Sequence, residues 1–285
     1  MNVSIIGITG FIGSNLSRYL IDQGINVMGI FRKDFASHEV LKKKIEKSEV
    51  VINLSGFPVA GVWTKRKKRK IYESRILVTK RIVELINESK RDLIYINASA
   101  VGIYNNENIH SERSLKHAKN FLADVVIDWE KEITKITNKG VRWIILRMGI
   151  VIGKNGGYLG KQNFMLKRGI SIIVGNKDEY LPLISLNELL NIVVFIIKNK
   201  RINGVVNAVA PFMVKVGEFY RCLGIIKGIK VFIKVPDIWI RIILGEASLI
   251  FLEGQCVVPE KLMINNYHFR DKKLLDMLVN VLNDK

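Results

Sequence analysis

The length, composition and charge of the chain exclude several classes of protein. It has 285 residues, of which 48% are hydrophobic and only five are proline, which excludes an intrinsically disordered or collagen-like chain. Its formal net charge is +19 at pH 7, and its two cysteines are too few for a disulfide framework. The four histidines are scattered and no cysteine–histidine group has metal-ligand spacing, so we expect no metal site and a reduced, cytoplasmic environment.

The first thirty residues predict a strand, a helix and a second strand. The apolar run 2–7 ends in a glycine, and apolar residues then recur at helical spacing between Phe11 and Leu20. Gly24 stands where a helix-ending glycine belongs, and 25–31 form the second predicted strand. The chain enters its first strand without a basic and apolar leader, so we expect no signal peptide.

Helices and strands continue to alternate up to residue 150. The predicted helices cover 39–47, 65–89 and 118–138, and the predicted strands cover 49–56, 92–100 and 141–149. Such alternation is typical of a parallel, doubly wound sheet with helices on both faces.

The pattern changes after residue 150. Glycine-rich loops at 153–160 are followed by a predicted helix near 186–199, a short strand at 204–211 and mostly helical segments. We therefore predict a Rossmann-type α/β fold with a dinucleotide-binding domain over 1–150. A smaller, mostly helical substrate-facing domain would cover 151–285, and some of its segments could return to the sheet.

Two strongly apolar segments lie in this second half, at 189–198 and 236–254. Charged residues interrupt both before the roughly 20 apolar residues that a membrane-spanning helix needs. We therefore expect two core helices and no membrane span.

The loop between the first strand and the first helix has the glycine spacing GxxGxxG. Gly7 would permit a tight turn, Gly10 the close approach of a pyrophosphate, and Gly13 the packing of helix on strand. The pyrophosphate would then rest on free amides at the helix N-terminus. The alternative is a glycine turn without a ligand. The predicted cofactor residues in this loop are Gly7, Thr9, Gly10, Phe11, Ile12 and Gly13.

The end of the second strand distinguishes NAD from NADP. A carboxylate there holds the ribose 2′-hydroxyl of NAD, whereas an arginine accommodates the 2′-phosphate of NADP. The strand ends at Phe31-Arg32-Lys33, and the first carboxylate is that of Asp34. We predict that Arg32 contacts the cofactor and that NADP(H) is favoured over NAD(H). Ordinary surface basicity in so basic a chain is the alternative.

The densest run of charge is the basic segment 65–70, with the sequence KRKKRK. Such a segment could neutralise nucleic-acid phosphates, but no aromatic residues are interleaved with it and no known nucleic-acid module surrounds it. We interpret it as the solvated start of a helix, with nucleic-acid binding as a minor alternative. The expected partner is a small-molecule substrate.

Motifs along nearly the whole chain point to one family. They are GITGFIGSNL at 7–16, VVINLSGFPVAGVWT at 50–64, NASAVGIY at 97–104, LRMGIVIGKNGG at 146–157 and LGEASLIFLEGQCVVPEKL at 244–262. In these motifs the chain resembles the atypical extended short-chain dehydrogenase/reductases known as epimerase family, or sugar-nucleotide epimerase-like, proteins. The last motif resembles their C-terminal domain, which has no assigned function.

The resemblance implies a Rossmann sheet with strand order 3-2-1-4-5-6 and a cofactor at its switch point. It implies that Ser99 stands where related enzymes keep the serine that hydrogen-bonds the reacting carbonyl or hydroxyl. It also places four residues beside the cofactor: Asn53, Leu54, Ser55 and Gly56.

The chain departs from that family in two places. The segment between Arg32 and the strand at 49–53 is short, so one strand at the sheet edge is expected to be missing. Pro182-Leu183-Ile184-Ser185 stands where the family usually has Ser-Trp-Ile-His near the substrate. The usual substrate contacts are therefore not expected.

The usual catalytic pair of the superfamily is also absent. Related enzymes use a tyrosine as general acid or base, with a lysine four residues later on the same helix face. None of the eight tyrosines is followed by lysine at that spacing. On the helix where the pair belongs, Leu122 and Val126 stand in its place.

The remaining catalytic candidates are Ser99, Tyr104 and Asp124, with Arg147 at a strand end. The sequence predicts an NADP(H)-binding oxidoreductase or epimerase-like protein that acts on an unidentified small hydroxylated or carbonyl substrate. The alternative is a dinucleotide-binding sensor or scaffold with little or no turnover.

Overall fold

The computed structural model describes residues 1–89, 91–154, 156–160, 163–166 and 168–283, and the secondary structure follows in chain order. The elements are β1 (Asn2–Ile6), α1 (Phe11–Asp22), β2 (Asn26–Ile30), α2 (His38–Glu46), β3 (Val50–Asn53), α3 (Lys65–Glu88), β4 (Leu93–Ala100), β5 (Ile109–His110), α4 (Phe121–Ile133), β6 (Val141–Met148), β7 (Ile150–Gly153), α5 (Gly157–Gly160), α6 (Asn163–Leu166), β8 (Ile170–Ile173), β9 (Leu183–Ser185), α7 (Leu186–Lys198), β10 (Gly204–Ala208), α8 (Val216–Lys227), β11 (Val231–Lys234), α9 (Asp237–Leu244), α10 (Leu249–Leu252), β12 (Cys256–Val257), α11 (Glu260–Ile264) and α12 (Leu274–Asn283). Short 3-10 helices lie at Arg32–Ala36, Val101–Ile103 and Gly245–Ser248.

Six strands of the described residues form one parallel sheet in the order β10-β6-β4-β3-β1-β2. The order reverses at β1, because the chain places β2 on one side of it and β3 on the other. This is the switch point of a doubly wound Rossmann sheet, and the predicted fold class is confirmed. Among the described residues no strand lies beyond β2 at this edge, as the short segment before β3 predicts, and a 3-10 turn and α2 make the connection to β3 instead.

Helices cover both faces of the sheet, because its strands carry apolar side chains on both sides. On one face Leu16 of α1 and Ile196 of α7 pack against Ile52 of β3. On the other face Ile82 of α3 packs in a cluster with Val51, the neighbouring residue of β3. The fold is therefore a helix–sheet–helix sandwich, with the strand ends left open at the switch point.

The part of the chain after residue 150 contributes to this sheet. β10 pairs with β6, and α7 packs on one face of the sheet. The boundary at residue 150 itself stays a prediction. Asn155 of the predicted glycine-rich loop lies outside the described residues.

The remaining C-terminal segments are mostly helical and have an apolar core of their own. Phe219 and Tyr220 of α8 pack there with Met277 and Leu278 of α12. Short parallel strand pairs in the described residues are β7 with β9, β8 with β11 and β5 with β12, and the last of these joins the C-terminal segments to Ile109–His110.

The two apolar segments of the sequence differ in burial. Segment 189–198 lies in α7 and is largely buried, so the prediction of a core helix is confirmed there. For the first part of segment 236–254 the prediction is wrong: of the eight residues of α9, Ile240 is the buried one. α9 packs at the periphery against the 3-10 helix that follows it.

Each helix in the described part of the chain is too short or too polar to cross a bilayer.

Candidate functional site

A cavity of about 890 Å³ opens at the carboxyl ends of β1, β2 and β3. Its walls are the loop after β1, the turn after β2, the turn after β3 and one face of α3. This is the place where an open α/β sheet binds its ligand. The predicted cofactor residues that line it are Gly7, Thr9, Gly10, Arg32, Leu54, Ser55 and Gly56.

Glycines shape the loop between β1 and α1. Gly7 has a φ of +82°, which side-chain-bearing residues rarely adopt, and a Cβ there would lie 2.9 Å from the carbonyl carbon of Leu54. A Cβ on Gly13 would lie 2.2 Å from the carbonyl oxygen of Gly7. The glycines therefore let the loop fold tightly against α1 and the turn after β3.

The first turn of α1 is prepared for an anion. Its N-cap residue is Gly10, no side chain caps the helix, and no acidic residue lies in the first turn. The free amides of this turn form the positive end of the helix dipole, and a diphosphate is stabilised at that end. A diphosphate therefore fits this loop.

Phe11, Ile12 and Gly13 open α1 and do not line the cavity wall in the described part of the chain. The ring of Phe11 packs instead against a glycine-rich segment, where a Cβ on Gly156 would lie 2.2 Å from it. Their predicted role is thus confined to backbone amides and to the packing of the loop.

Asn53 supports the cavity from behind. It is fully buried, and its Nδ2 donates to Asn97 Oδ1 at 2.8 Å and to Thr79 Oγ1 at 3.1 Å. Its Oδ1 accepts hydrogen bonds from the amide of Ser55 at 3.1 Å and from its hydroxyl at 2.6 Å. Asn53 therefore shapes the turn whose later residues form the wall.

The acidic residue after β2 is withdrawn from the cavity. The Asp34 carboxylate is buried, accepts from the amide of Phe31 at 2.8 Å and pairs with Lys44 Nζ at 2.6 Å. Burial alone would raise the pKa of Asp34, but the hydrogen bonds from Lys44 and Phe31 hold it below its ordinary value. Arg32 lines the cavity, so the positive charge at this end of the site is available to a ligand.

Ser99 lies in a buried polar network at the end of β4. Its Oγ donates to Glu130 Oε1 at 2.5 Å. The guanidinium of Arg147 holds the same carboxylate through two hydrogen bonds of 2.8 and 2.6 Å. Ser99 and Arg147 are register partners on β4 and β6, and α4 places Glu130 over them.

Tyr104 belongs to the same network. Arg147 Nη1 donates to its hydroxyl at 2.7 Å, and that hydroxyl donates to Asn207 Oδ1 at 2.9 Å. Burial raises the pKa of Tyr104 above its ordinary value, although Arg147 acts in the opposite direction. At neutral pH the phenol therefore stays protonated and acts as a hydrogen-bond donor.

The structure brings two of the three catalytic candidates together. Ser99 and Tyr104 meet through Glu130 and Arg147, whereas Asp124 is exposed in the first turn of α4. Among the residues described, none of the three candidates lines the cavity. Their catalytic roles stay predictions.

The positions of the missing catalytic pair are apolar contacts. Val126 is buried beside Tyr104, and Leu122 packs against the cluster around Trp129. Ser185, in the segment that departs from the family pattern, caps α7 by accepting from the amide of Glu188 at 3.1 Å.

Sequence reasoning missed Glu130 and Asn207, which complete the network around Tyr104. Glu130 has a recognisable signal, because it lies four residues after Val126 and three before Ile133 on the buried face of α4. A carboxylate on such an apolar stripe requires a buried cation or donor. Asn207 has no comparable signal, since its partner is about a hundred residues away in sequence.

Two family models match the chain. The NAD dependent epimerase/dehydratase family matches residues 3–207, and DUF1731, a domain of unknown function, matches residues 235–281. The Arabidopsis thaliana epimerase family protein SDR39U1 homolog, chloroplastic, is 31% identical over 299 residues, which cover 98% of this chain and 86% of that protein. The Bacillus subtilis epimerase family protein YfhF is 28% identical over 301 residues, covering 100% and 99% of the two chains.

Solved structures show the same fold. The human epimerase family protein SDR39U1 (isoform 2), crystallised with NADPH, superposes with a TM-score of 0.89 at 22% identity and full coverage of both chains. A nucleoside-diphosphate sugar epimerase from Corynebacterium glutamicum gives a TM-score of 0.78 at 26% identity, covering 99% of this chain and 58% of that one.

These matches confirm the resemblance drawn from the sequence motifs and support a dinucleotide-binding, epimerase-like protein. The two matched regions also occur in the order expected from those motifs. The chain belongs to the NAD dependent epimerase/dehydratase family, as one of the epimerase family proteins that carry a DUF1731 domain.

Proposed function

We propose that the protein is an NADP(H)-dependent oxidoreductase or epimerase-like enzyme that acts on a small hydroxylated or carbonyl substrate. The observation that carries the proposal is the cavity at the switch point, with a glycine loop on one wall and Arg32 on another. When bound, the nicotinamide exchanges a hydride with the substrate, and the protein supplies binding and orientation.

The residues of the cavity suit the parts of such a cofactor. The first-turn amides of α1 would hold the diphosphate, since no side chain competes for them. The turn Leu54–Gly56, braced by Asn53, would bound the cofactor on the side of β3.

The preference for NADP(H) is supported by the residues after β2. Asp34 is buried against Lys44 and the amide of Phe31 and is not among the described residues that line the cavity, so its carboxylate is not placed to accept from a ribose 2′-hydroxyl. Arg32 lines the cavity and could donate hydrogen bonds to a 2′-phosphate. The human relative of the same fold was crystallised with NADPH, which agrees with this preference.

Titration with reduced cofactors, followed by their fluorescence, tests the preference. We expect NADPH to bind more tightly than NADH, and Arg32→Ser to weaken NADPH binding by about ten-fold while leaving NADH binding unchanged. Lys33→Ser is the matched control, because it removes the neighbouring charge from a residue that does not line the cavity. Equal affinities of the unaltered protein for the two cofactors would contradict the proposal.

A second candidate function is dinucleotide binding with little or no turnover. Two features favour it: the Tyr-x-x-x-Lys pair is absent, and the hydroxyls of Ser99 and Tyr104 are engaged by buried neighbours. A panel of carbonyl substrates with NADPH, applied to the unaltered protein and to Ser99→Ala, separates the two functions. Turnover that Ser99→Ala abolishes supports the enzyme, and turnover indifferent to it removes Ser99 from the mechanism. Saturable NADPH binding without turnover of any substrate supports the second candidate.

Three further statements about the protein stay predictions. They are a cytoplasmic location, a small molecule as the physiological partner, and nucleic-acid binding only as a minor alternative.

A further inference from the structure

Helix α9 presents an apolar face to solvent. Ile238, Trp239, Ile242 and Ile243 are 60%, 55%, 66% and 61% exposed, whereas Ile240 on the opposite side is 4% exposed. At about 100° per residue, the four exposed positions cover an arc of about 140°. Side chains of this size are seldom left in water together on one face of a helix.

Further exposed apolar residues lie in the strand that precedes α9 in the chain. Val231 and Ile233 of β11 are both 48% exposed and point to the same side of the strand, because side chains alternate along it. In the described residues β11 belongs to a sheet of two strands, in which β8 is its neighbour on one edge. We call these two residues and the four exposed residues of α9 the α9 surface.

Exposed basic residues flank the α9 surface in the sequence. Lys227, Lys230, Lys234 and Arg241 are exposed, and the carboxylate within the segment 227–244 is that of Asp237.

A contact with α3 adds further positive charge. The Lys68 ammonium pairs with the Glu246 carboxylate, in the 3-10 helix directly after α9. The start of α3 therefore lies near the 3-10 helix that follows α9, and Lys65 and Arg66 at this start are exposed. The formal net charge of the whole chain is +19.

We propose that the α9 surface binds the surface of an anionic lipid bilayer. A helix with isoleucine and tryptophan on one face and cations around it lies in the interface, with its apolar face among the headgroups and upper acyl chains. The lysines and arginines interact with the anionic headgroups.

The charge of the surface argues against a second copy of the chain as the occupant. A two-fold dimer brings the same patch of each subunit together, so the cations around one α9 would face those around the other. A lipid surface of opposite sign has no such repulsion and accepts the apolar side chains as well.

Cosedimentation of the full chain with lipid vesicles tests the proposal. The probe is a vesicle of phosphatidylcholine and phosphatidylglycerol in a ratio of about 7 to 3, compared with phosphatidylcholine alone. We expect binding to the mixed vesicles, much weaker binding to the neutral ones, and a decrease of binding when NaCl is raised. The emission of Trp239, which is half-exposed, should shift to shorter wavelength on binding.

Substitutions on the α9 surface locate the contact. Ile242→Ser with Ile243→Ser should weaken binding to mixed vesicles by about ten-fold or more, and Trp239→Ser should weaken it independently. Ile21→Ser is the matched control, because Ile21 is 55% exposed on α1, far from α9 in the chain, and should leave binding unchanged.

Three results would overturn the proposal. They are no cosedimentation with mixed vesicles, equal binding by the α9 variants and the control, and a concentration-dependent dimer in size-exclusion chromatography that the α9 variants convert to a monomer. The last result would identify the surface as an interface between two copies.

Discussion

Glu130 and Arg147 are buried together between α4 and the sheet, with side chains 11% and 7% exposed. Burial alone lowers the pKa of Arg147, but the hydrogen bonds and the charge of Glu130 raise it above its ordinary value. Glu130 also accepts from Ser99. Loss of the negative charge would leave the buried Arg147 cation without its counter-charge, which costs more than an exposed pair contributes.

We predict that Glu130→Gln lowers the free energy of unfolding by about 3 kcal/mol. Glu84→Gln, which breaks the exposed pair with Arg81, should lower it by less than about 0.5 kcal/mol. Urea denaturation monitored by circular dichroism measures both. Similar losses of unfolding free energy in the two variants would show that the buried pair contributes no more to stability than the exposed pair.

His110 is a second residue whose titration depends on burial. Its ring stacks on Tyr104 with centroids 4.8 Å apart, and its buried Nδ1 has no hydrogen-bond partner among the residues that the structure describes. Burial lowers the pKa of His110 below 6.5, and the nearby charges of Lys116 and His117 act in the same direction. The unfolded chain therefore binds a proton at a higher pH than the folded chain does.

This difference predicts the sign of a pH effect. Below pH 6.5 the unfolded state takes up the proton first, so the free energy of unfolding should fall as pH decreases from 6.5 toward the lowered pKa. His110→Phe should make that dependence shallower over the same range, because the other titrating groups are unchanged. Chemical denaturation at a series of pH values measures the slope, and identical slopes would contradict the assignment.

At the scale of elements, α1 packs closely against the loop after β1 because Gly7 and Gly13 have no side chains. The distance of 2.2 Å between a Cβ on Gly13 and the carbonyl oxygen of Gly7 leaves no room for a methyl group, and the neighbour is backbone that cannot rotate away. The position of α1 on the sheet, and with it the direction of the first-turn amides, therefore depends on Gly13.

We predict that Gly13→Ala lowers the free energy of unfolding by about 1–3 kcal/mol and abolishes saturable NADPH binding, because α1 must shift. Gly102→Ala is the control, since a Cβ there meets no heavy atom within 4 Å. Thermal unfolding and cofactor titration of the two variants provide the comparison. Undiminished NADPH binding by Gly13→Ala would show that this loop does not form part of the cofactor site.

At the scale of the whole molecule, Glu188 connects the sheet layer to the C-terminal segments. It is buried at the start of α7, and its Oε2 accepts from the amides of Arg270 at 2.8 Å and Asp271 at 2.9 Å. Tyr267 donates to the other oxygen, and Ser185 donates to Asp271 at 2.5 Å. The path of the chain into α12 is therefore set by a carboxylate in α7.

Glu188→Ala should lower the free energy of unfolding by about 2–4 kcal/mol, because the buried amide of Asp271, the amide of Arg270 and the hydroxyl of Tyr267 lose their acceptor. We expect the amides of α12 to exchange with solvent faster than those of β1 in this variant, since the connection fails locally first. Glu218→Ala, an exposed carboxylate on α8, is the control. Hydrogen exchange by mass spectrometry resolves the two regions, and uniform acceleration would argue against a local connection.

The sequence by itself determined the alternation of the sheet strands and helices up to residue 150 and the position of the glycine loop between β1 and α1. Alternating apolar runs and helical spacing are local properties, and the spacing Gly7, Gly10 and Gly13 reports a tight turn between a strand and a helix. The short segment after Arg32 likewise indicated the missing edge strand. These features depend on neighbours within about thirty residues, so the chain shows them without its fold.

Only the tertiary structure decided how distant residues use one another. The engagement of Asp34 by Lys44, of Ser99 by Glu130 and of Tyr104 by Asn207 depends on pairs brought together by packing. The sequence also does not reveal that one face of α9 is exposed, because an apolar run looks the same in sequence whether or not a neighbour covers it. Burial and partner choice are set by the assembled surface of the whole chain, and no local spacing encodes them.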